Sequence, residues 1–239
     1  MEIKIYETKE EASKSAFELF KQALASGKTT FGLATGSTPE LLYQYLCHSD
    51  LDFSNAFALN LDEYYGLPAD HPQSYAYFMN QHLFNQKPFK ETYIPNGMNE
   101  NTKQETERYD QLIENHPINL QILGIGENGH IGFNEPGTSF DSTTQFVELT
   151  RSTIEANQRF FDSVEEVPTH AYSMGISSIM KAKTIILLAF GENKAKAIQA
   201  TIEGPITEDV PASILQKHPN TIFILDTAAA KLLSNHSVK

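Results

Sequence analysis

The residues best equipped for chemistry are concentrated between Gly124 and Gly137, in the run Gly-Ile-Gly-Glu-Asn-Gly-His-Ile-Gly-Phe-Asn-Glu-Pro-Gly. One imidazole (His130), two carboxylates (Glu127 and Glu135) and two carboxamides (Asn128 and Asn134) share this frame. Its glycines oppose regular structure and let backbone approach a ligand. A histidine and a glutamate five positions apart in such a loop can act as a proton-handling pair. The same residues also suit a polar turn whose histidine does no more than bond neighbouring backbone.

Three further segments carry candidate groups. In Phe31-Gly32-Leu33-Ala34-Thr35-Gly36-Ser37-Thr38-Pro39-Glu40 an apolar run ends in a small-residue turn. Ser37 or Thr38 is placed to cap a helix with Pro39 at its first position. Backbone N–H groups and hydroxyls beside a positive helix end make an anion site, phosphate or carboxylate. The turn matches neither nucleotide-binding glycine pattern and equally fits an ordinary capped turn. Asn60-Leu61-Asp62-Glu63-Tyr64-Tyr65 sets two adjacent carboxylates just past another apolar run, where a loop, Asp62–Pro68, is expected. Adjacent side chains diverge, so one of the two faces a site, as a candidate base or as a hydrogen-bonding anchor. Lys194, in Gly191-Glu192-Asn193-Lys194, opens a helix, a poor place for a cation unless an anion binds there. Arg159, in Asn157-Gln158-Arg159-Phe160-Phe161, is a second candidate for holding an anion.

The elements that must position these groups alternate. Strands are expected at Ile3–Tyr6, Thr29–Ala34, Phe57–Leu61, Leu120–Leu123, Thr184–Phe190 and Thr221–Leu225. Helices are expected at Lys9–Ser26, Pro39–Leu46, Gln73–Phe84, Asn101–Glu114, Arg151–Phe161, Ser173–Lys181, Asn193–Glu203 and Ala228–Leu233, with a short helical turn at Ala212–Lys217. The alternation predicts an α/β fold, a three-layer α/β/α sandwich around a Rossmann-like, mostly parallel sheet. No linker, charge block or internal repeat divides the chain, so residues 1–239 are expected to form a single domain.

Thirty acidic against eighteen basic residues give a net charge of −12, which disfavours nucleic acid as a general partner. The histidines outside the glycine-rich run show no metal-ligand spacing. The single cysteine, Cys47, excludes an internal disulfide and points to a reducing compartment. The opening residues lack the features of a signal peptide, and no apolar stretch reaches membrane-spanning length. A cytoplasmic protein without a membrane partner is expected.

From Thr35-Gly36-Ser37-Thr38-Pro39 through Leu61-Asp62-Glu63-Tyr64 and Gly129-His130-Ile131-Gly132-Phe133-Asn134-Glu135-Pro136 to Lys194–Gly204, the chain resembles the glucosamine-6-phosphate deaminase (isomerase) family. The resemblance implies conversion of glucosamine 6-phosphate and water to fructose 6-phosphate and ammonia, with neither metal nor organic cofactor. It implies ring opening by His130 with Glu135 and Asn128, and proton transfer from C2 to C1 by Asp62. Gly36, Ser37, Thr38, Arg159 and Lys194 carry over as the phosphate clamp, and residues from about 145 to 173 as an active-site lid.

The chain departs from some relatives at Asn128, where they carry Asp; Glu135 alone is then expected to supply the charge beside His130. Phe140–Glu148 holds no Lys or Arg where allosteric relatives bind an activating sugar phosphate, and the chain ends soon after its last helix. A monomer or weak homo-oligomer with little or no allosteric activation is expected. A 6-phosphogluconolactonase-like hydrolase is the nearest alternative, since that family shares the fold, the Gly-Ser-Thr-Pro loop and a Gly-His. It typically lacks the Phe-Asn-Glu-Pro continuation. A sugar-phosphate sensing domain is the non-enzyme alternative, and would normally follow a helix-turn-helix segment that is not seen before residue 1.

Overall fold

The computed structural model describes residues 1–158, 161, 163 and 166–234, with 152, 156 and 157 by backbone alone. Ten strands are present among them: β1 (Glu2–Tyr6), β2 (Thr30–Leu33), β3 (Phe57–Asn60), β4 (Asp62–Tyr64), β5 (Glu91–Tyr93), β6 (Leu120–Leu123), β7 (Gln145–Glu148), β8 (His170–Ser173), β9 (Thr184–Ala189) and β10 (Thr221–Asp226). Seven α-helices accompany them: α1 (Lys9–Ala25), α2 (Glu40–Cys47), α3 (Tyr75–Met79), α4 (Thr102–Asn115), α5 (Arg151–Asn157), α6 (Ile176–Met180) and α7 (Ala195–Glu203).

Seven strands form one sheet in the order β1-β10-β9-β6-β2-β3-β5, with every pairing parallel. A parallel sheet covered on both faces needs strands that are apolar throughout rather than alternating. β9 (Thr-Ile-Ile-Leu-Leu-Ala) and β6 (Leu-Gln-Ile-Leu) are buried at every position. Helices cover the faces; α1 buries Ala12, Ala16, Phe20 and Ala23, and Phe20 stacks on Phe31 of β2. This is the expected three-layer, Rossmann-like arrangement.

The strand order reverses between β2 and β6. From β2 the chain proceeds outward through β3 and β5, then returns to β6 on the other side of β2 and proceeds through β9 and β10. At such a reversal the loops leaving neighbouring strands diverge and open a crevice beyond their carboxyl ends. The loops in question are the two motifs at residues 34–39 and 124–137.

Several expectations need correction. Asp62–Tyr64 is a strand rather than a loop, and pairs antiparallel with β8, which pairs antiparallel with β7 in a second, three-stranded sheet. Ser173 therefore ends a strand, and the following helix starts only at Ile176. These strands are three or four residues long, too short to display a period of two. The edge strand β5 is equally short. The Gln73–Phe84 helix is α3 running into a π-helical turn, with Asn85 N–H bonded to the Asn80 carbonyl. The short helical turn expected at Ala212–Lys217 is present, as a 3₁₀ segment, Pro211–Lys217. Residues 228–233 form turns, because the Asp226 carboxylate takes the Ala229 N–H and the chain continues mainly through bonds spanning three residues. The expected Arg151–Phe161 helix is observed to Asn157; Arg159 and Phe160 lie outside the described residues.

Candidate active site

A cleft of about 1210 Å³ opens at the strand-order reversal, larger than the ~300–1,000 Å³ of ordinary small-molecule sites. Gly36, Ser37 and Thr38 after β2, Asp62 on β4, Asn128, His130 and Glu135 after β6, and Lys194 after β9 all line it. Eight of the nine residues singled out from the sequence thus face one space; the ninth, Arg159, lies outside the described residues.

Asp62 and Glu63 divide their labour by strand alternation, which sends successive side chains to opposite faces. Asp62 lines the cleft at 7% exposure. Glu63, 2% exposed, turns away and accepts N–H bonds from Tyr64 (2.8 Å), Tyr75 (2.9 Å) and Ala76 (2.9 Å). It thereby ties β4 to the first turn of α3. Burial pushes the Asp62 carboxyl up to about 8, and the neighbouring Glu63 adds to the rise. Burial also lifts Glu63 to about 7 against its three backbone donors. A carboxyl desolvated in this way is a proton carrier near neutral pH.

The glycine-rich loop brings an imidazole to the same cleft. At Gly132 the backbone has φ +57°, and a β-carbon there would stand 3.6 Å from Asp62 Oδ2 and 3.1 Å from Ser173 Oγ. At Gly126 a β-carbon would fall 2.2 Å from Cε1 of His130, so only glycine lets the imidazole lie against the loop. The Asn128 carboxamide donates from Nδ2 to Glu135 Oε2 (2.7 Å), which turns its Oδ1 toward His130. That oxygen accepts from the His130 backbone N–H (3.2 Å) and pairs with Nδ1 (2.8 Å). A carboxamide oxygen only accepts, so in the neutral ring Nδ1 carries the hydrogen and Nε2 is the basic nitrogen. Nδ1 is also 3.4 Å from Glu135 Oε2. Burial works against a charge on Glu135, but His130, Asn128 and Thr153 outweigh it and hold the carboxyl at about 2. The plain polar-turn role is thus not what the imidazole does: its bonds run to side chains. Asn128 does not merely replace a missing carboxylate; it bridges His130 and Glu135.

At the other side of the cleft, α2 starts at Glu40 with Pro39 in the cap position, and no side chain caps it. The expected Ser37 or Thr38 cap is therefore corrected. Among the described residues these two hydroxyls have no protein partner, and they remain available to a ligand. Lys194 ends a 3₁₀ turn, Glu192–Lys194, immediately before α7. Its Nζ donates to the Ile125 carbonyl (2.7 Å), and burial lowers its pKa while Glu127 opposes the drop. Lys196, by contrast, is exposed.

Two contributors escaped the sequence reading. Thr153 of α5 donates to Glu135 Oε1 (3.0 Å); Thr150, which caps α5 through the Thr153 N–H, was the available signal. Tyr64, Tyr75 and Phe133 form an apolar wall with ring centroids 4.7–6.1 Å apart. These aromatics come from three distant segments, so no local pattern announces them. Among the described residues no group of three or more His, Cys, Asp or Glu is placed to hold a metal ion.

Residues 6–224 match the family model described as glucosamine-6-phosphate isomerases/6-phosphogluconolactonase. A glucosamine-6-phosphate deaminase of Lacticaseibacillus paracasei is 58% identical over 234 residues, covering 98% of this chain and 99% of that protein. The solved structure of a monomeric glucosamine-6-phosphate deaminase superposes with a TM-score of 0.94 at 41% identity, covering 98% of this chain and all of the other. A 6-phosphogluconolactonase from Trypanosoma brucei superposes at 0.79 but only 18% identity, with 98% of each chain covered; that likeness is one of fold.

Proposed function

We infer, from a chain that belongs to the glucosamine-6-phosphate isomerase/6-phosphogluconolactonase family, how its cleft is used. The protein is a glucosamine-6-phosphate deaminase, as its relatives at 58% and 41% identity over nearly their whole length are named. It forms fructose 6-phosphate and ammonia from glucosamine 6-phosphate and water. The observation that carries the reading is a buried carboxyl, Asp62, sharing one cleft with a histidine of defined tautomer, His130.

The phosphate is held by the Gly36-Ser37-Thr38 turn, by Lys194 and by Arg159, far from the bonds that change. Its binding energy fixes the reacting end in place. Nε2 of His130 takes the O1 proton and returns one to O5, which opens the ring. Glu135, joined to the imidazole through Asn128 and directly at 3.4 Å, stabilises the transient imidazolium. Asp62 then removes the C2 proton; the C–H electron pair becomes the C1=C2 bond, the C1=O π pair passes to O1, and O1 takes a proton given up by the C2 ammonium, which gives an enolamine. Returned to C1, the proton leaves an imine at C2, and water releases ammonia from it. Burial by itself favours the protonated form of Asp62. The substrate's C2 ammonium favours the carboxylate, so binding itself readies the base.

A lactonase has no task for Asp62, which makes ester hydrolysis the weaker reading. Further proposals concern the setting. The 41% identical solved deaminase is described as monomeric, and Phe140–Glu148 holds no Lys or Arg; both support a monomer without allosteric activation. One apolar core spans the main sheet and its helices, which supports a single domain, with residues 145–173 as its lid. Cys47 as a free thiol supports a cytoplasmic location, and no helix among the described residues is long and apolar enough to cross a membrane.

Ammonia release tests the activity. Glucosamine 6-phosphate should be turned over, and its N-acetyl form, whose nitrogen cannot leave as ammonia, should not. Absence of ammonia together with hydrolysis of 6-phosphogluconolactone would reassign the cleft.

A further inference from the structure

The segment that carries α5 meets the ring-opening pair at one atom. Thr153 Oγ1 donates to Glu135 Oε1 at 3.0 Å, while Asn128 Nδ2 holds Oε2 at 2.7 Å. The carboxylate is thus gripped from two sides by two different parts of the chain. Thr153 lines the cleft, so the contact stands at the wall of the site. Behind it, Thr150 Oγ1 lies 2.9 Å from Thr153 Oγ1. The Thr153 hydrogen is committed to an acceptor-only carboxylate, so the Thr150 hydroxyl donates to Thr153. Thr150 is also the cap of α5, accepting the Thr153 N–H at 3.3 Å. A relay therefore runs from the first turn of α5 through two hydroxyls into Glu135, and each bond polarises the next.

We propose that Thr153 is a positioning residue for the ring-opening pair: it fixes the rotation of the Glu135 carboxylate, and through it the support of His130, according to where α5 sits. The proposal rests on the reading of His130 and Glu135 as that pair. Among the described residues, Thr153 is the one side chain bonded to Oε1. Without it the carboxylate is held at Oε2 alone and is free to turn its charge away from Nδ1. α5 lies between β7 and β8 of the second sheet, so the pair senses the seating of that unit.

Thr153→Val removes the hydroxyl at similar volume, with Thr153→Ala as a second variant and Thr153→Ser as the conservative one. The first two are expected to lower kcat with glucosamine 6-phosphate about 10-fold, the scale of a hydrogen bond to a charged group. Thr153→Ser should restore kcat to within about twofold. Affinity for the amino alditol phosphate, the reduced open-chain form of the substrate, should stay unchanged, because no ring has to open. Combined with Glu135→Gln, Thr153→Val should add no further loss. Wild-type kcat in both Thr153→Val and Thr153→Ala overturns the proposal. So does parallel loss of alditol affinity, or losses that multiply with those of Glu135→Gln. If Glu135→Gln alone turns over normally, the fault lies instead in the reading of Glu135.

Discussion

The two acid-bearing walls of the cleft treat their carboxyls in opposite ways. At Asp62 burial is met by another carboxyl as its neighbour, and the group rises to about 8. At Glu135 burial is met by an imidazole, a carboxamide and a hydroxyl, and the group falls to about 2. Both carboxyls are withdrawn from solvent, so burial alone does not decide their roles; the donors within reach do. Environments that drive two carboxyls apart separate the one that exchanges protons from the one that stays charged. In the proposed mechanism Asp62 gives and takes a proton at each turnover, while Glu135 remains an anion.

The largest effect that would test this contrast is at Asp62. Asp62→Asn should lower kcat by roughly 10²–10⁴-fold while sugar-phosphate binding persists. Near-normal turnover would break the comparison outright. The same variant carries a stability signature. The folded-state pKa is raised from 3.8 to about 8, so the stabilisation it contributes is complete below the unfolded value and lost as pH rises through the folded one. Asp62→Asn should therefore gain thermal stability relative to the parent between pH 6 and pH 9, by at least ~2–4 °C if the effect reaches about 1 kcal/mol. A melting difference independent of pH would contradict a buried, pH-sensitive carboxyl.

A smaller effect concerns a half-buried cation of the same cleft, Lys194, which neither wall uses for proton transfer. Lys194→Ala should raise KM about 10-fold with kcat little changed, the loss of one charge-assisted bond to phosphate. An unchanged KM would remove it from the binding site. The smallest effect sharpens the Asp62 side. Glu63→Gln deletes the neighbouring charge but leaves the burial, so the acid limb of kcat/KM should move to lower pH by less than about one unit. The substrate's own ionisation is measured separately. A shift to higher pH would show that Glu63 acts on Asp62 through geometry rather than charge.

The same contrast bears on what the sequence made legible. The central strands were readable because a parallel sheet buried on both faces demands unbroken apolar runs, as in Thr184–Ala189. Loops following those strands were readable as sites because glycine and polar residues cluster there. β4, β7 and β8 were not readable. Each holds only three or four residues, and the partner of β4 lies more than a hundred positions away, at Ala171–Ser173. That omission hid which of Asp62 and Glu63 faces the cleft, since the direction of each is fixed by its place in the β4 ladder. Thr153 stayed hidden because its partner, Glu135, is eighteen residues distant across a turn. The helix cap expected from Ser37 or Thr38 is absent because Pro39 takes the cap position, which leaves both hydroxyls without a protein partner among the described residues.

That Asp62 sits in a ladder with Ser173 rather than on a free loop has a consequence for how fast the enzyme readies itself. Fixing the backbone of one loose residue forfeits about 1–2 kcal/mol of conformational freedom. Here that freedom is surrendered once, when the polypeptide folds, and none of it is demanded again at each arrival of a sugar.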